Sequence, residues 1–338
     1  MEHEIKDVTI LGAGPTGLFG LFYCGMRGAS AQVVDALSQA GGQLTALYPE
    51  KYIFDVAGFP KVLAKDLVRS LESQAAQFGG PVHLNQHVTG LEEHDGYFVL
   101  VTSTDRFPTR SLVLAAGIGA FSPRRLPQAV AEPWYGKGIQ DRVLDLEQFR
   151  GKRVIIIGGG DSAFDWAQQL RGTAEAISLV HRSDRFRAHA ATVADVLASV
   201  HTSHTKVFTF HELHDIHSAG EYFDAVTLRN VKSKELERVE CDVILPMLGF
   251  VSDLGALNEW GLELVNDEIV VNSQMETGHT GIYAAGDICT YPGKLKLIAT
   301  GFAEAATAVN QAVHWIYPDK KVAPGHSSNM AVFGQKDD

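Results

Sequence analysis

Three observations predict an α/β fold built around two nucleotide-binding βαβ units. A short apolar run, Val8-Thr9-Ile10-Leu11, leads through Gly12-Ala13-Gly14-Pro15-Thr16-Gly17 into a segment of helical periodicity. The next apolar run, Ala31-Gln32-Val33-Val34, ends in an acid, Asp35. The same strand, glycine loop and helix then return at Arg153-Val154-Ile155-Ile156-Ile157 and Gly158-Gly159-Gly160-Asp161-Ser162-Ala163.

In the first unit, Leu18, Leu21, Phe22 and Met26 lie at helical spacing, and Gly28 supplies the stop. Strand, G-x-G-x-x-G and helix together form a dinucleotide-binding fingerprint. Gly12 makes the tight turn, Gly14 lets backbone approach a pyrophosphate, and Gly17 lets helix and strand pack closely. The diphosphate would sit on the amides of the helix N-terminus, where the dipole favours negative charge. A carboxylate about 20 residues further on accepts hydrogen bonds from ribose hydroxyls and repels a 2′-phosphate. Asp35 therefore predicts FAD or NAD at this site, not NADP.

The 338 residues suffice for two domains of ordinary size. Met1-Glu2-His3-Glu4-Ile5-Lys6-Asp7 is charged and lacks a signal-peptide core. No apolar run reaches the roughly 18 residues a membrane span needs. Cys24, Cys241 and Cys289 are far apart and form no C-x-x-C, which suits a reducing cytoplasm and excludes a local redox dithiol. A net charge of -11 argues against nucleic-acid binding.

After Asp35, Ala40-Gly41-Gly42-Gln43-Leu44 and Leu47-Tyr48-Pro49 form a glycine-rich loop followed by an aromatic. A flavin site needs close backbone approach, an amide at the ring edge and a flat side chain on one face. Gln43 and Tyr48 could supply the last two, and the same residues would also suit a turn with a core tyrosine. Ala64 to Phe78 is an amphipathic helix with Leu67, Val68, Leu71 and Ala75 on one side. Val82 to Val88 and Tyr97 to Thr102 are expected strands, the second entered through Asp95-Gly96. Leu112 to Gly117 is another buried strand, returning beside the first.

The second unit differs from the first at the position of the acid. Its next strand, Ala176-Ile177-Ser178-Leu179-Val180, ends in His181-Arg182, and Arg187 follows in Arg185-Phe186-Arg187. Guanidinium groups at this strand end bind a 2′-phosphate, which points to NADPH, with a solvated basic loop as the bland alternative. Gly158, Gly160 and Ser162 would cradle its pyrophosphate. His201, His204, His211, His214 and His217 recur at spacings of three. On a strand such spacing alternates faces, and no metal site is expected. Strands at Ile244 to Gly249 and Ile269 to Val271 lead back to Gly281-Ile282-Tyr283-Ala284-Ala285-Gly286-Asp287, where Asp287 could accept from a ribityl or ribose hydroxyl. An alanine-rich helix then runs from Leu297 through Ile316, and its N-terminus could face a flavin pyrimidine.

Together these motifs resemble the two-dinucleotide flavoprotein reductases of glutathione-reductase type over about Val8 to Ser328. Within them the chain is similar to low-molecular-weight thioredoxin reductases, yet it has no C-x-x-C between Ala120 and Gly249. The closer resemblance is to ferredoxin–NADP+ reductases of the thioredoxin-reductase-like type. It is carried by Gly41-Gly42-Gln43-Leu44, Ala46-Leu47-Tyr48-Pro49-Glu50-Lys51-Tyr52, Asp55-Val56-Ala57-Gly58-Phe59-Pro60 and Gly119-Ala120-Phe121. Ala284-Ala285-Gly286-Asp287-Ile288-Cys289-Thr290, Lys296-Leu297-Ile298-Ala299-Thr300-Gly301-Phe302 and His326-Ser327-Ser328 continue it. The resemblance implies two Rossmann-like three-layer ββα domains: FAD-binding over 1–118 with 250–338, and NADP-binding over 119–249. It also implies a homodimer, with Thr16, Asp35, Gln43, Tyr48, Val88, Phe121, Asp287 and Ser328 at FAD. Tyr48 would stack on one flavin face, and His326 from the partner subunit's tail would cover the other. Where the family has a second arginine after His-Arg, this chain has Ser183, which should weaken NADPH preference. Where a related disulfide-reducing flavoprotein family carries cysteine in the first glycine motif, this chain has Thr16.

The chemistry so implied is hydride transfer from NADPH to flavin, then single-electron delivery to ferredoxin or flavodoxin, with no protein nucleophile. Two alternatives remain open at this stage. One is a thioredoxin-reductase-like NADPH oxidase or disulfide reductase lacking its own dithiol; the other is a non-catalytic flavin redox sensor. Because ferredoxins are acidic, docking is expected to use a basic patch, with Lys294, Lys296, Lys61 and Lys65 as candidates and ordinary solvated lysines as the alternative.

Overall fold

In the computed structural model, residues 4–141, 143, 145–218, 220–322 and 327 are described. The chain divides into two compact units, Met1–Ala120 with Ser252–Asp338, and Phe121–Val251.

The first unit is centred on β1 (Lys6–Leu11), from which α1 (Pro15–Met26) leads to β2 (Ala31–Val34). Every β1 residue after Lys6 is buried, as in a parallel strand covered on both faces. Pro15 opens α1, where a missing amide hydrogen costs nothing. The unit continues with α2 (Ala64–Ala75), β3 (Val82–His83), β4 (Val88–His94), β5 (Tyr97–Thr102) and β6 (Arg106–Leu114). β1 lies between β2 and β6 and is parallel to both, with Ile10 opposite Val33 and Val113. Leu67, Val68, Leu71 and Ala75 form the buried face of α2.

The expected strand from Val82 to Val88 is two strands. β3 pairs in parallel with β2, and β4 pairs antiparallel with β5. Between them Asn85 takes φ +58°, its amide donates to Leu37 O, and Gln86 N donates to Asp35 O. A left-handed residue breaks the extended run and ties the break to the loop after β2.

The second unit contains β7 (Arg153–Ile157), α3 (Asp161–Gln169), β8 (Ala176–His181), α4 (Ala190–Ser199) and β9 (Thr205–Thr209). After these come β10 (His211–Ser218), β11 (Phe223–Asn230), β12 (Leu236–Glu240) and β13 (Val243–Pro246). A parallel sheet in the order β9-β8-β7-β13 packs against the antiparallel sheet β10-β11-β12. Alternation along β7 produces three layers. Val154 and Ile156 share a core with Phe164 and Trp166 of α3, whereas Ile155 and Ile157 share one with Leu213 and Val226 of the antiparallel sheet.

Back in the first unit, β14 (Ile282–Ala284) joins β6 in parallel, and α5 (Ile298–Ile316) packs against α1. Ala305, Ala308, Val309, Ala312 and Val313 are the apolar face of α5. The architecture is thus α/β, with two Rossmann-like nucleotide-binding units.

Candidate functional site

The first glycine loop is closed by direct backbone packing. Gly12 has φ +110°, and a methyl group there would lie 2.4 Å from the Ala115 carbonyl oxygen; one on Gly17 would lie 1.8 Å from the Gly12 carbonyl oxygen. No other residue permits this approach of α1 to β1. Gly14 is extended and precedes Pro15, the first turn of α1 contains no acid, and the dipole there is free to meet an anion.

Asp35 is buried. Its Oδ2 accepts from Ala13 N at 2.5 Å and its Oδ1 from Leu37 N at 2.7 Å. Burial pushes its carboxyl above the usual range, and these two amides oppose that shift. Asp35 therefore orders the glycine loop itself, and each oxygen retains a lone pair for a hydroxyl.

Gly41 continues the cradle, with φ +108° and its amide donating to Ala13 O at 2.8 Å. From the one-turn helix that follows, Gln43 Nε2 donates to Asp287 Oδ2 at 3.3 Å. Tyr48 is half-buried, and burial with the nearby Asp287 charge pushes its phenol up to about 12, so it is neutral at pH 7. Thr16 meets the 284–301 region: a methyl group on Gly286 or Gly301 would lie 2.9 or 2.3 Å from its Oγ1. Val88 is half-buried against the same core. Thr16, Gln43, Tyr48 and Asp287 are thus joined by contacts around one cradle that also contains Asp35.

The second cradle has the same logic. A methyl group on Gly158 would lie 2.3 Å from Met247 O, and one on Gly159 would lie 2.4 Å from the His181 ring. Gly160 is extended ahead of α3, and Ser162 in the first turn is exposed. His181 sits inside the loop, its Nε2 3.2 Å from both Arg185 O and Ser183 Oγ. A carbonyl can only accept, so Nε2 carries the hydrogen in that contact. Burial, reinforced by Arg182 and Arg187, lowers its pKa, which leaves a neutral ring at pH 7. His181 and Ser183 thereby brace the loop. Arg182, Arg185 and Arg187 are exposed and, among the described residues, make no ion pair.

Phe121 lies in a short strand, Ala120–Pro123, and the positions of His326 and Ser328 fall outside the described residues. His204, His211 and His217 bond to Glu175 O, Thr209 O and Thr227 Oγ1. Among the described residues no three His, Cys, Asp or Glu side chains gather as metal ligands.

Of the four lysines expected in a basic patch, Lys294 is withdrawn from the surface, and the other three remain at least partly exposed. Lys294 is buried against Glu304, Lys296 pairs with Glu268 at 2.6 Å, Lys65 pairs with Glu50 at 2.7 Å, and Lys61 lies over the Tyr52 ring. Glu304, which accepts from Gly286 N next to Asp287, is the neighbour of the cradle that sequence reasoning missed. The available signal was a lone acid within Ala303-Glu304-Ala305-Ala306, on the apolar face of α5.

Comparison with known proteins places this geometry in context. The family described as pyridine nucleotide-disulphide oxidoreductase matches residues 6–312. The chain is 47% identical over 330 residues to a ferredoxin–NADP reductase of Halalkalibacterium halodurans, covering 97% of this chain and 99% of the relative. It is 48% identical over 332 residues to a ferredoxin–NADP reductase of Symbiobacterium thermophilum, covering 97% and 98%. Among solved structures, the fold is similar to a thioredoxin reductase of T. acidophilum, with a TM-score of 0.78, 22% identity, and coverage of 92% and 98%.

Proposed function

The chain belongs to the pyridine nucleotide-disulphide oxidoreductase family, and from that premise we propose that it is a flavoprotein reductase passing electrons between NADPH and ferredoxin. Near-complete alignment with ferredoxin–NADP reductases at 47–48% identity carries this reading. The two cradles fit two different dinucleotides. The first, in the domain comprising 1–118 and 250–338, has glycines that a Cβ would obstruct, a helix N-terminus without acid, and Asp35 where a 2′-phosphate would be repelled. It suits FAD, with Gly12, Gly14, Thr16, Gly17, Asp35, Gln43, Tyr48, Val88, Phe121, Asp287 and Ser328 as the residues that would hold it. The second, in 119–249, presents Arg182, Arg185 and Arg187, which form no ion pair among the described residues, with Gly158, Gly160 and Ser162, and suits NADPH.

Bound FAD supplies the change from a two-electron nicotinamide donor to a one-electron acceptor. The protein supplies placement and charge. The α1 N-terminus would meet the diphosphate, Asp35 and Asp287 would accept from sugar or ribityl hydroxyls, and neutral Tyr48, which keeps its phenolic proton at pH 7, would offer a flat face. The cysteines do not support a thiol route: Cys24, Cys241 and Cys289 are all buried and unpaired, and burial raises the last two to about 12. The finer parts of the proposal are a cytoplasmic homodimer, flavodoxin as a second acceptor, and coverage of the flavin by the partner subunit's His326.

With NADPH, steady-state reduction of a ferredoxin should be fast, and reduction of thioredoxin or a low-molecular-weight disulfide should not exceed the background rate. The reverse ranking would overturn the assignment. Removing the chain from Pro324 onward should leave a folded flavoprotein that reacts faster with oxygen. An unchanged oxidase rate and flavin spectrum would take His326 and Ser328 out of the site.

A further inference from the structure

Next to the Gly286–Asp287 turn lies an ion pair closed off from solvent. Lys294 and Glu304 have 5% and 4% of their side chains exposed, and Lys294 Nζ is 2.5 Å from each carboxylate oxygen. Such a pair is weak evidence of stabilisation, because desolvation offsets most of its attraction and an apolar pair often holds a fold as well. What distinguishes this one is the residue it grips. Glu304 Oε2 accepts from Gly286 N at 2.8 Å, and Lys294 Nζ donates to Gly286 O at 3.0 Å. Tyr291 OH donates to Glu304 Oε1 at 2.6 Å, and the Cys289 thiol donates to Glu304 Oε2 at 3.8 Å.

Gly286 is where three segments meet. It has φ +83°, which favours glycine, and a methyl group there would press on Thr16 of α1; Gly301, one turn before Glu304 on α5, abuts the same hydroxyl. The next residue, Asp287, accepts from Gln43 Nε2. Both backbone groups of the residue that precedes Asp287 therefore bond to one buried pair, with Cys289 N and Sγ also donating to its carbonyl, and Thr16 and Asp287 beside it are cradle residues.

We propose that Lys294 and Glu304 are positioning residues: by holding Gly286 from both sides they set the turn that presents Asp287, and thereby determine FAD affinity. This rests on the reading of the first cradle as the FAD site. The pair itself touches neither cofactor nor substrate in this role.

The test separates positioning from general stability. In Lys294→Met/Glu304→Leu, the buried charges are replaced by apolar groups, so melting of the full-length flavin-free chain should stay close to wild type. FAD affinity, titrated by flavin fluorescence, should fall by about tenfold to a hundredfold, as loss of charge-assisted bonds that order a site predicts. Visible circular dichroism of the bound flavin should change, while NADP+ affinity, which reports the other unit, should not. Wild-type FAD affinity and dichroism in the double variant would overturn the proposal. If that variant does not fold, near-isosteric Glu304→Gln replaces it: the amide removes the counter-charge of Lys294 and turns one acceptor oxygen into a donor, so the bonds from Gly286 N and Tyr291 OH cannot both be kept, the same weakening is expected, and wild-type affinity again overturns the clamp. Wild-type protein that takes up no FAD would overturn the cradle assignment and the clamp with it, whereas normal uptake by both wild type and variant would overturn the clamp alone.

Discussion

Gly17→Ala is expected to yield a chain that cannot retain FAD. The added methyl would lie 1.8 Å from the Gly12 carbonyl oxygen, a backbone atom without a rotamer to change, so α1 must move off β1. Movement of that size carries the Gly14 and Ala13 amides away from the pyrophosphate position and from Asp35. Purified Gly17→Ala should be colourless, with FAD affinity reduced at least about a hundredfold and a lower melting temperature, as expected when a close backbone contact is forced apart. Gly28→Ala is the matched control. It places alanine at positive φ, +60°, a strain that Gly17→Ala does not carry, but nothing lies within 4 Å, so only the modest left-handed penalty of about 1–2 kcal/mol applies and flavin stays bound. Normal flavin content in Gly17→Ala would show that the helix can retreat without opening the cradle.

Arg182→Ala/Arg187→Ala is expected to cost most of the preference for NADPH. Both guanidinium groups are exposed and carry no ion pair among the described residues, so they are available to a 2′-phosphate without first breaking a contact. Loss of each charge-assisted bond should raise KM for NADPH roughly tenfold or more, with KM for NADH nearly unchanged. Equal effects on the two nucleotides would remove the pair from phosphate recognition. Ser183 already braces Arg185 through its hydroxyl, accepting from Arg185 N at 3.3 Å. The departure from the family motif therefore changes the loop's support as well as its charge.

Much of the cradle architecture was legible because it is written in local signals. Apolar runs, glycines at fixed spacing and the acid or arginine at the next strand end each depend on a few adjacent residues, and in both units the strand and helix follow them. The misreadings have non-local causes. Val82 to Val88 has one apolar character, yet Asn85 and Gln86 are tied to Leu37 and Asp35, and those long-range amides split the run into strands of opposite pairing. The position of the His181 ring is non-local in the same way: the absent Gly159 side chain admits it into the loop, where Arg185 O engages it.

By itself, the sequence determined the α/β class, the duplication of the nucleotide-binding unit, and the opposite charges at the two corresponding strand ends, Asp35 in one unit and Arg182 in the other. These follow from steric and electrostatic requirements that a glycine, a carboxylate or a guanidinium meets wherever the strand–loop–helix forms. Only the tertiary structure decided that Lys294 is buried against Glu304, that Asp35 holds the loop through Ala13 and Leu37, and that Thr16, Gly286 and Gly301 share one junction. A lysine in a Pro-Gly-Lys turn looks solvated in sequence because its burial depends on a partner ten residues away on a helix face. Desolvation and pairing are properties of that folded environment, and no spacing along the chain encodes them.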